Sequence, residues 1–138
     1  MVKLNMKRQI KYRGYNLKNK KWLYGYYLVN RGKHYIVQDE VVDPFSKPSD
    51  FEVDSESVGH RVGGIDGTDL YEGDIVEMVY KHDGLLFFKG HIVWDTIYCE
   101  YRVKKPHGTD MMISLMEGLF LYKVIGNEYE EKLKISNP

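Results

Sequence analysis

Residues 70–76 have the sequence Leu-Tyr-Glu-Gly-Asp-Ile-Val, and most of the chain can be placed relative to this stretch. Glycine adopts a positive φ without steric cost, and an aspartate side chain accepts hydrogen bonds from nearby backbone amides. The stretch therefore predicts a tight turn that leads into a strand. We assign a structural role to its four turn residues, which are Tyr71, Glu72, Gly73 and Asp74.

A half-buried strand is predicted to run from Asp74 to Lys81, directly after this turn. Side chains alternate between the two faces of a strand, so Asp74, Val76 and Met78 are expected to share one face. The pattern thus predicts that the turn opens the principal strands of the domain.

A hairpin turn is predicted at His82-Asp83-Gly84, because Asp-Gly is a strong signal for a tight turn. Strand-like sequence continues over residues 85–104, with a bulge or bend expected at Gly90. Cys99 falls within this run and is predicted to fill space in or beside the core.

The last part of the chain contains the one segment whose pattern predicts a helix of more than one turn. This segment covers residues 111–117 and is expected to end at Gly118 as a C-cap. A closing strand is predicted over residues 119–125. A charged tail follows over residues 128–138, and a short helix is one interpretation of it.

Three strands are predicted upstream of the turn, over residues 7–15, 22–29 and 34–38. The first alternates and carries a basic outer face. Apolar or aromatic side chains occupy both faces of the second, with Tyr24 and Tyr26 on the same face. We therefore expect the second strand to be covered on both sides. Residues 39–56 are acidic and irregular, which favours a mobile loop or a junction between subdomains, with residues 51–54 as the candidate for a short strand within it. Residues 1–5 are expected to be a flexible lead-in.

The composition favours an all-β protein. Of the 138 residues, 43% are hydrophobic, and the 12 Tyr and 13 Gly favour strands joined by tight turns. The order of elements predicts small antiparallel strands that form a barrel or sandwich, with at most one or two short helices. The length fits one domain of ordinary size.

The sequence also indicates where the protein is found. Its single cysteine cannot form an internal disulfide, which favours a reducing compartment. Its apolar stretches are all much shorter than the about 20 residues that a membrane helix needs. We therefore expect a cytoplasmic protein with no membrane partner.

Charge is distributed unevenly, although the formal net charge is +0. Residues 1–25 contain eight Lys or Arg and no acid, whereas residues 39–56 contain seven Asp or Glu and one Lys. Two interpretations stay open. The two segments lie side by side, or the basic segment binds an anionic partner.

Nucleic acid is the anionic partner that the basic segment predicts. Its cations alternate with aromatic side chains, and such a combination can neutralise phosphates and stack on bases. The residues of this hypothesis are Lys7, Arg8, Lys11, Tyr12, Arg13, Lys20, Lys21 and Trp22.

Other chemical signatures are missing from the sequence. The five histidines and Cys99 lack the spacing of a zinc site, and no phosphate-binding glycine loop precedes a Lys-Ser/Thr pair. The acidic residues near the turn form no pattern that predicts a converging pair. We therefore predict a non-enzymatic protein without a metal or cofactor.

Three blocks of the sequence together resemble the YopX family of phage and prophage proteins. The first block is Met6–Arg13 with Lys21–Tyr26, and the third is Val124–Glu130. The second block consists of Val58-Gly59, Gly63, Gly67 and residues 70–76. In this order the blocks extend the resemblance over residues 6–133. The sequence departs from the family pattern Gly-Gln-Tyr/Phe-Thr-Gly-Leu, because residues 59–64 are Gly-His-Arg-Val-Gly-Gly.

The resemblance implies an SH3-like barrel with additional N-terminal strands, and it implies no catalytic residues. It predicts a single domain over residues 6–138, divided into an N-terminal β part at 6–57, a barrel core at 58–127 and the tail. It further predicts an accessory protein of a phage or prophage that acts in a bacterial host. Such a protein would act through contacts with a host or phage protein, or as a homo-oligomer.

Overall fold

The structure is a computed structural model that describes residues 11–38, 46–65, 68–105, 112–114 and 118–136. These residues form two antiparallel sheets and one α-helix, which confirms the all-β class. The predicted lead-in, Lys7, Arg8 and residues 39–45 of the acidic segment lie outside the described residues. The chain divides into two compact units, Met1–His60 and Arg61–Pro138, whereas the sequence places its subdivision after residue 57.

The first unit contains an antiparallel sheet with the strand order β4-β3-β2-β1. Gly59 and His60, the first residues of β5 (Gly59–Ile65), pair with the outer edge of β1. Within the described residues, the first three strands begin and end within a few residues of the positions that the sequence predicts. The strand bounds are β1 Tyr12–Asn16, β2 Lys21–Asn30, β3 Lys33–Val37 and β4 Glu52–Val53.

One face of this sheet carries the core of the first unit. Leu23, Ile36 and Val53 are buried together, and Tyr12 and Tyr27 pack against them. Burying each aliphatic side chain of this kind contributes about 1.5–3 kcal/mol relative to leaving it in water. The opposite face of β2 is exposed, so the prediction that this strand is covered on both sides is wrong.

Asn16 ties the part of the acidic segment that the structure describes to the first strand. Asn16 ends β1 and is fully buried. Its amide nitrogen is within 2.9–3.2 Å of the carbonyl oxygens of Ser49, Asp50 and Glu52. Residues 46–57 contain two short 3₁₀ helices and β4, which lies within the short strand expected over residues 51–54.

The second unit contains a hairpin and a five-stranded sheet. The hairpin pairs Arg61–Ile65 of β5 with β6 (Thr68–Tyr71). The sheet has the order β10-β9-β8-β7-β11, and within the described ranges its pairings do not close a barrel. Its strands are β7 Asp74–Tyr80, β8 Leu86–Asp95, β9 Glu100–Lys104, β10 Met112–Ser114 and β11 Phe120–Asn127.

The core of the second unit lies on one face of β7 and of its neighbours. Val76 and Met78 are fully buried beside Ile92 and Phe120. Asp74 is also buried, which confirms that Asp74, Val76 and Met78 share a face.

The turn between β6 and β7 has the predicted geometry. Gly73 has a φ of +92°, and the Tyr71 amide donates to a carboxylate oxygen of Asp74 at 2.8 Å. The Gly73 amide donates to the Ile92 carbonyl at 2.9 Å, and the Gly73 carbonyl accepts from the Glu128 amide at 2.9 Å. The turn is therefore bonded to β8 and to the first residue of the helix.

The sequence predicts a bulge or a bend at Gly90, and a bulge is not found there, because Gly90 pairs in register with Val76. A Cβ atom at Gly90 would lie 2.3 Å from the carbonyl oxygen of Lys104, so glycine allows β9 to approach closely. The pairing of β8 with β7 shifts by one residue at a different place. Met78 pairs with Phe88 and Val79 pairs with Leu86, so Phe87 is the extra residue.

Two further predictions for the second unit are wrong. Residues 96–99 form a turn, in which Cys99 is exposed with a φ of +51°, instead of a strand with Cys99 in or beside the core. Residues 112–114 form β10 on β9, whereas the sequence predicts a helix. Strand pairing prevails because a helix of seven residues is marginal without tertiary support.

The C-terminal tail forms the helix α1 (Glu128–Ser136), as one interpretation of its sequence predicts. The Glu130 amide donates to the side-chain oxygen of Asn127 at 2.9 Å, which satisfies one of the free amides at the start of the helix. Helices that are long and apolar enough to cross a membrane are not found in the described part of the chain.

Replacing Gly73 by Val is expected to lower the free energy of unfolding by about 1–3 kcal/mol, because a β-branched residue is strained at positive φ. Glu72→Gln is the matched control, since the neighbouring backbone stays unchanged. Thermal and urea unfolding of both variants measure the difference. Equal melting temperatures for the two variants would contradict the role of Gly73.

Candidate binding surfaces

The described members of the set predicted to bind nucleic acid do not form one surface. Tyr12 lies on the core face of its sheet, with its ring centroid 5.4 Å from that of Tyr27 and 5.0 Å from that of His60. Trp22 belongs to the opposite face, where it packs edge-on against Tyr15 at 5.4 Å. Alternation along the strands separates these two aromatic residues.

The described cations of the predicted set have different surroundings. Arg13 is only 7% exposed, and its guanidinium lies 4.8 Å from the centroid of the Trp22 ring. The basic outer face predicted for the first strand is therefore wrong at Arg13. Lys20 and Lys21 are exposed at and beside the β1–β2 turn, and the Lys11 ammonium lies 5.7 Å from the centroid of the Tyr24 ring.

An exposed aromatic face lies on the side of the first sheet opposite its core. Tyr24 and Tyr26 are 41% and 57% exposed, and Leu28 is exposed beside them. Tyr35 and Val37 of β3 are half-buried and lie directly opposite Leu28 and Tyr26. Directly opposed residues of paired strands share a face. We call these five residues the aromatic face.

The aromatic face continues into a cleft of about 670 Å³ beside the β2–β3 hairpin. Leu28, Tyr35, Val37, Pro48 and Phe51 form its apolar walls. The polar residues of its lining are Asn30, Arg31, Lys33 and Ser46, with no carboxylate among the described lining residues. The cleft therefore combines apolar walls with two cations.

A second exposed surface lies in the second unit, at the end of the β8–β9 hairpin. Trp94, Ile97 and Tyr98 are exposed there, Ile97 to 84% and Tyr98 to 66%. We call these three residues the hairpin tip. The Arg102 guanidinium lies 4.6 Å from the centroid of the Tyr98 ring, and Trp94 packs edge-on against Tyr101 at 5.0 Å.

Asp95 fixes the backbone of the hairpin tip. Its carboxylate accepts hydrogen bonds from the Ile97 amide at 2.9 Å and the Tyr98 amide at 3.3 Å, and it pairs with Arg102 at 3.2 Å. Burial by itself would raise the pKa of Asp95, but the two amides and the guanidinium outweigh this effect and lower the pKa. The folded tip thus favours the ionised carboxylate.

The uneven charge of the chain is partly satisfied within the first unit. The Lys18 ammonium lies 2.9 Å from a carboxylate oxygen of Asp50, so one described member of the basic segment pairs with the acidic segment. This hydrogen bond, together with that from the Lys47 amide, lowers the pKa of Asp50. The pair is partly exposed, and such pairs contribute little to stability.

Among the residues that the structure describes, no group of three or more His, Cys, Asp or Glu side chains could hold a metal ion. Near the opening turn, Asp74 serves as a backbone acceptor rather than as half of a carboxylate pair.

Sequence reasoning missed the residues that make both surfaces. It assigned Tyr24 and Tyr26 to one face, but it did not predict that this face is exposed. It also placed Ile97 and Tyr98 within a strand. The signal that could have located the hairpin tip is Asp95, because aspartate often accepts bonds from amides two or three residues later and so starts a turn.

With both surfaces located, comparison with known proteins gives no assignment. The chain matches no family model, no curated protein and no solved structure.

Asp95→Asn is expected to lower the melting temperature at pH 7, because the variant loses the carboxylate that the turn favours. Because folding lowers the pKa of Asp95, its ionised carboxylate stabilises the folded state at pH values above its usual pKa of 3.8. This stabilisation is lost as the pH falls through the pKa of the folded state. The difference between native and variant melting temperatures should therefore narrow below pH 3.8. A difference that stays constant between neutral and strongly acidic pH would contradict this account.

Proposed function

We propose that this protein is a non-enzymatic accessory protein that acts through protein–protein contacts made by the hairpin tip. The observation that carries the proposal is the exposure of three large apolar side chains at one end of a hairpin, with Ile97 84% exposed. Neighbouring apolar side chains exposed in this way are typical of interaction sites.

The composition and rigidity of the hairpin tip both support binding to a protein. Trp, Tyr and Arg are the residue types that most often dominate binding energy at interfaces, and Trp94, Tyr98 and Arg102 lie at this end of the hairpin. The hydrogen bonds to Asp95 hold the turn before any partner arrives. A turn that is already ordered loses less entropy on binding.

The phage or prophage context of the proposal depends on the three sequence blocks that resemble the YopX family. Of these, the block at residues 70–76 forms the bonded turn around Gly73. A bacterial cytoplasm is the proposed location, because the family resemblance implies a bacterial host and Cys99 is the only cysteine.

An SH3-like barrel is the proposed architecture of the second unit. The sequential strands β7 to β10 are neighbours in the sheet, and the last strand, β11, returns to pair with β7. This order supports the proposal because it places β7, the first strand of the sheet, between β8 and the last strand, β11. A small barrel of this class requires such an order.

Replacing Ile97 by Asp is expected to weaken partner binding strongly, because it places a charge at the centre of an apolar contact. Loss of one such anchor commonly costs about 2 kcal/mol or more, which is about thirtyfold in affinity. Light scattering across a range of concentrations tests a second copy of the chain as the partner. Cross-linked pull-down from lysogenic cells tests a different protein as the partner.

Leu119→Asp is the matched control, since Leu119 is also exposed in the second unit but lies outside the hairpin tip. The proposal predicts that the control retains whatever association the native chain shows. The proposal would be contradicted by two results together. The native chain would be strictly monomeric, and it would capture the same proteins as the Ile97→Asp variant.

Nucleic-acid binding is a second candidate function, and the observation that favours it lies in the first unit. The aromatic face carries exposed rings, and a cleft with two cations and no described carboxylate adjoins it. This candidate is independent of the hairpin tip.

A further inference from the structure

We infer that the aromatic face binds single-stranded nucleic acid. In this assignment the bases stack on Tyr24 and Tyr26, and the phosphates contact Lys11, Arg31 and Lys33. The inference rests on the second candidate function, and of the basic N-terminal set predicted by the sequence its site includes only Lys11.

The two tyrosines provide consecutive stacking positions. They are two residues apart on β2 and share its exposed face, so their Cα atoms are about 7 Å apart along the strand. Both rings are more than two-fifths exposed. Stacking on aromatic side chains accepts any base, because every base has a π-face. The pair therefore suits successive unpaired bases.

The cleft extends this row in the direction of the hairpin. Leu28 and Tyr35 lie directly opposite each other next to the Tyr26–Val37 pair, and both line the cleft. Phe51 and Pro48 form its other wall. With a volume of about 670 Å³, the cleft is large enough for a nucleotide unit with its base between apolar walls.

Positive charge is present at both ends of the row. Lys11 lies beside Tyr24 at one end, with its ammonium 5.7 Å from the ring centroid. Arg31 and Lys33 line the cleft at the other end, and both are exposed. From Tyr24 to its last residue, Asn30, β2 extends about 20 Å at the usual rise per residue, and Arg31 follows directly. Cations so separated favour a chain of several phosphates over a single small anion.

Among the residues that the structure describes, no carboxylate lines the cleft. Asp50 is paired with Lys18. Glu52 lies directly opposite Tyr35 and therefore shares its face of the sheet, but it lines a different pocket, together with Lys33, rather than the cleft. An acidic peptide could also satisfy the cations, but a row of exposed rings is better used by planar bases.

The first test is fluorescence anisotropy with labelled oligothymidine and oligouridine of about twelve nucleotides, a length within the range that one small β domain covers. Both probes are expected to bind, and affinity should fall as salt rises. Three phosphate contacts on a single strand predict a slope of about −2 for log K against log salt.

Two pairs of variants locate the site. Tyr26→Ala is expected to lower affinity about tenfold, whereas Tyr26→Phe retains the stacking ring and should bind as the native chain does. Leu85→Ala is the control, because Leu85 is an exposed apolar residue of the second unit that lies outside both surfaces. The Arg31→Glu, Lys33→Glu double variant should reduce the salt slope by more than half, and Lys105→Glu, at an exposed lysine of the second unit, should leave it unchanged.

The inference is overturned if neither probe binds at low salt, or if Tyr26→Ala and the double charge variant bind as tightly as the native chain. Competition by polyglutamate as effective as that by unlabelled oligonucleotide would also overturn it, because the site would then recognise charge without bases. Uridine monophosphate should compete only weakly, since it reaches a single stacking position. None of these outcomes depends on Ile97, so failure here is distinguishable from failure of the hairpin-tip proposal.

Discussion

The backbone of Gly73 is the point on which the second unit depends. Its amide bonds to Ile92 of β8, its carbonyl accepts from Glu128 at the start of α1, and its positive φ allows the chain to reverse between β6 and β7. Asp74 completes the arrangement by accepting from the Tyr71 amide. One tight turn therefore sets the positions of three strands and a helix. Because both polar groups of Gly73 are satisfied, the turn can be buried without the cost of an unpaired backbone group.

The first unit depends on a different constraint, which is that the side chains of β2 alternate between the two faces of the sheet. Leu23 and Tyr27 face the core, which leaves Tyr24 and Tyr26 on the opposite side. Exposing aromatic side chains forgoes stabilisation that burial would provide, so an exposed row is expected where the surface has a partner. Asn16 contributes a buried hydrogen-bond anchor that holds the β4 segment, and β4 in turn supplies the Val53 side chain to the core. A rigid sheet thus carries the aromatic face.

The sequence predicted those features that local chemistry determines. Positive φ at Gly73 and the shared face of Val76 and Met78 follow from residue type and alternation alone. Prediction failed where a distant part of the chain decides. Alternation shows that Tyr24 and Tyr26 share a face, but it cannot show whether anything covers that face. Likewise, residues 112–114 form a strand because β9 offers a free edge, which their own sequence does not reveal.

The central claim is that the outer face of β2 is exposed to solvent, whereas the tyrosines of the core are buried. Residue-level hydroxyl-radical footprinting by mass spectrometry tests this claim most directly. Tyr26 and Tyr98 are predicted to be modified rapidly in the free protein, because both are largely exposed. Tyr71 and Tyr122 are predicted to be protected, because each is 4% exposed. If Tyr26 is as protected as Tyr71, the aromatic face is covered and the account is contradicted.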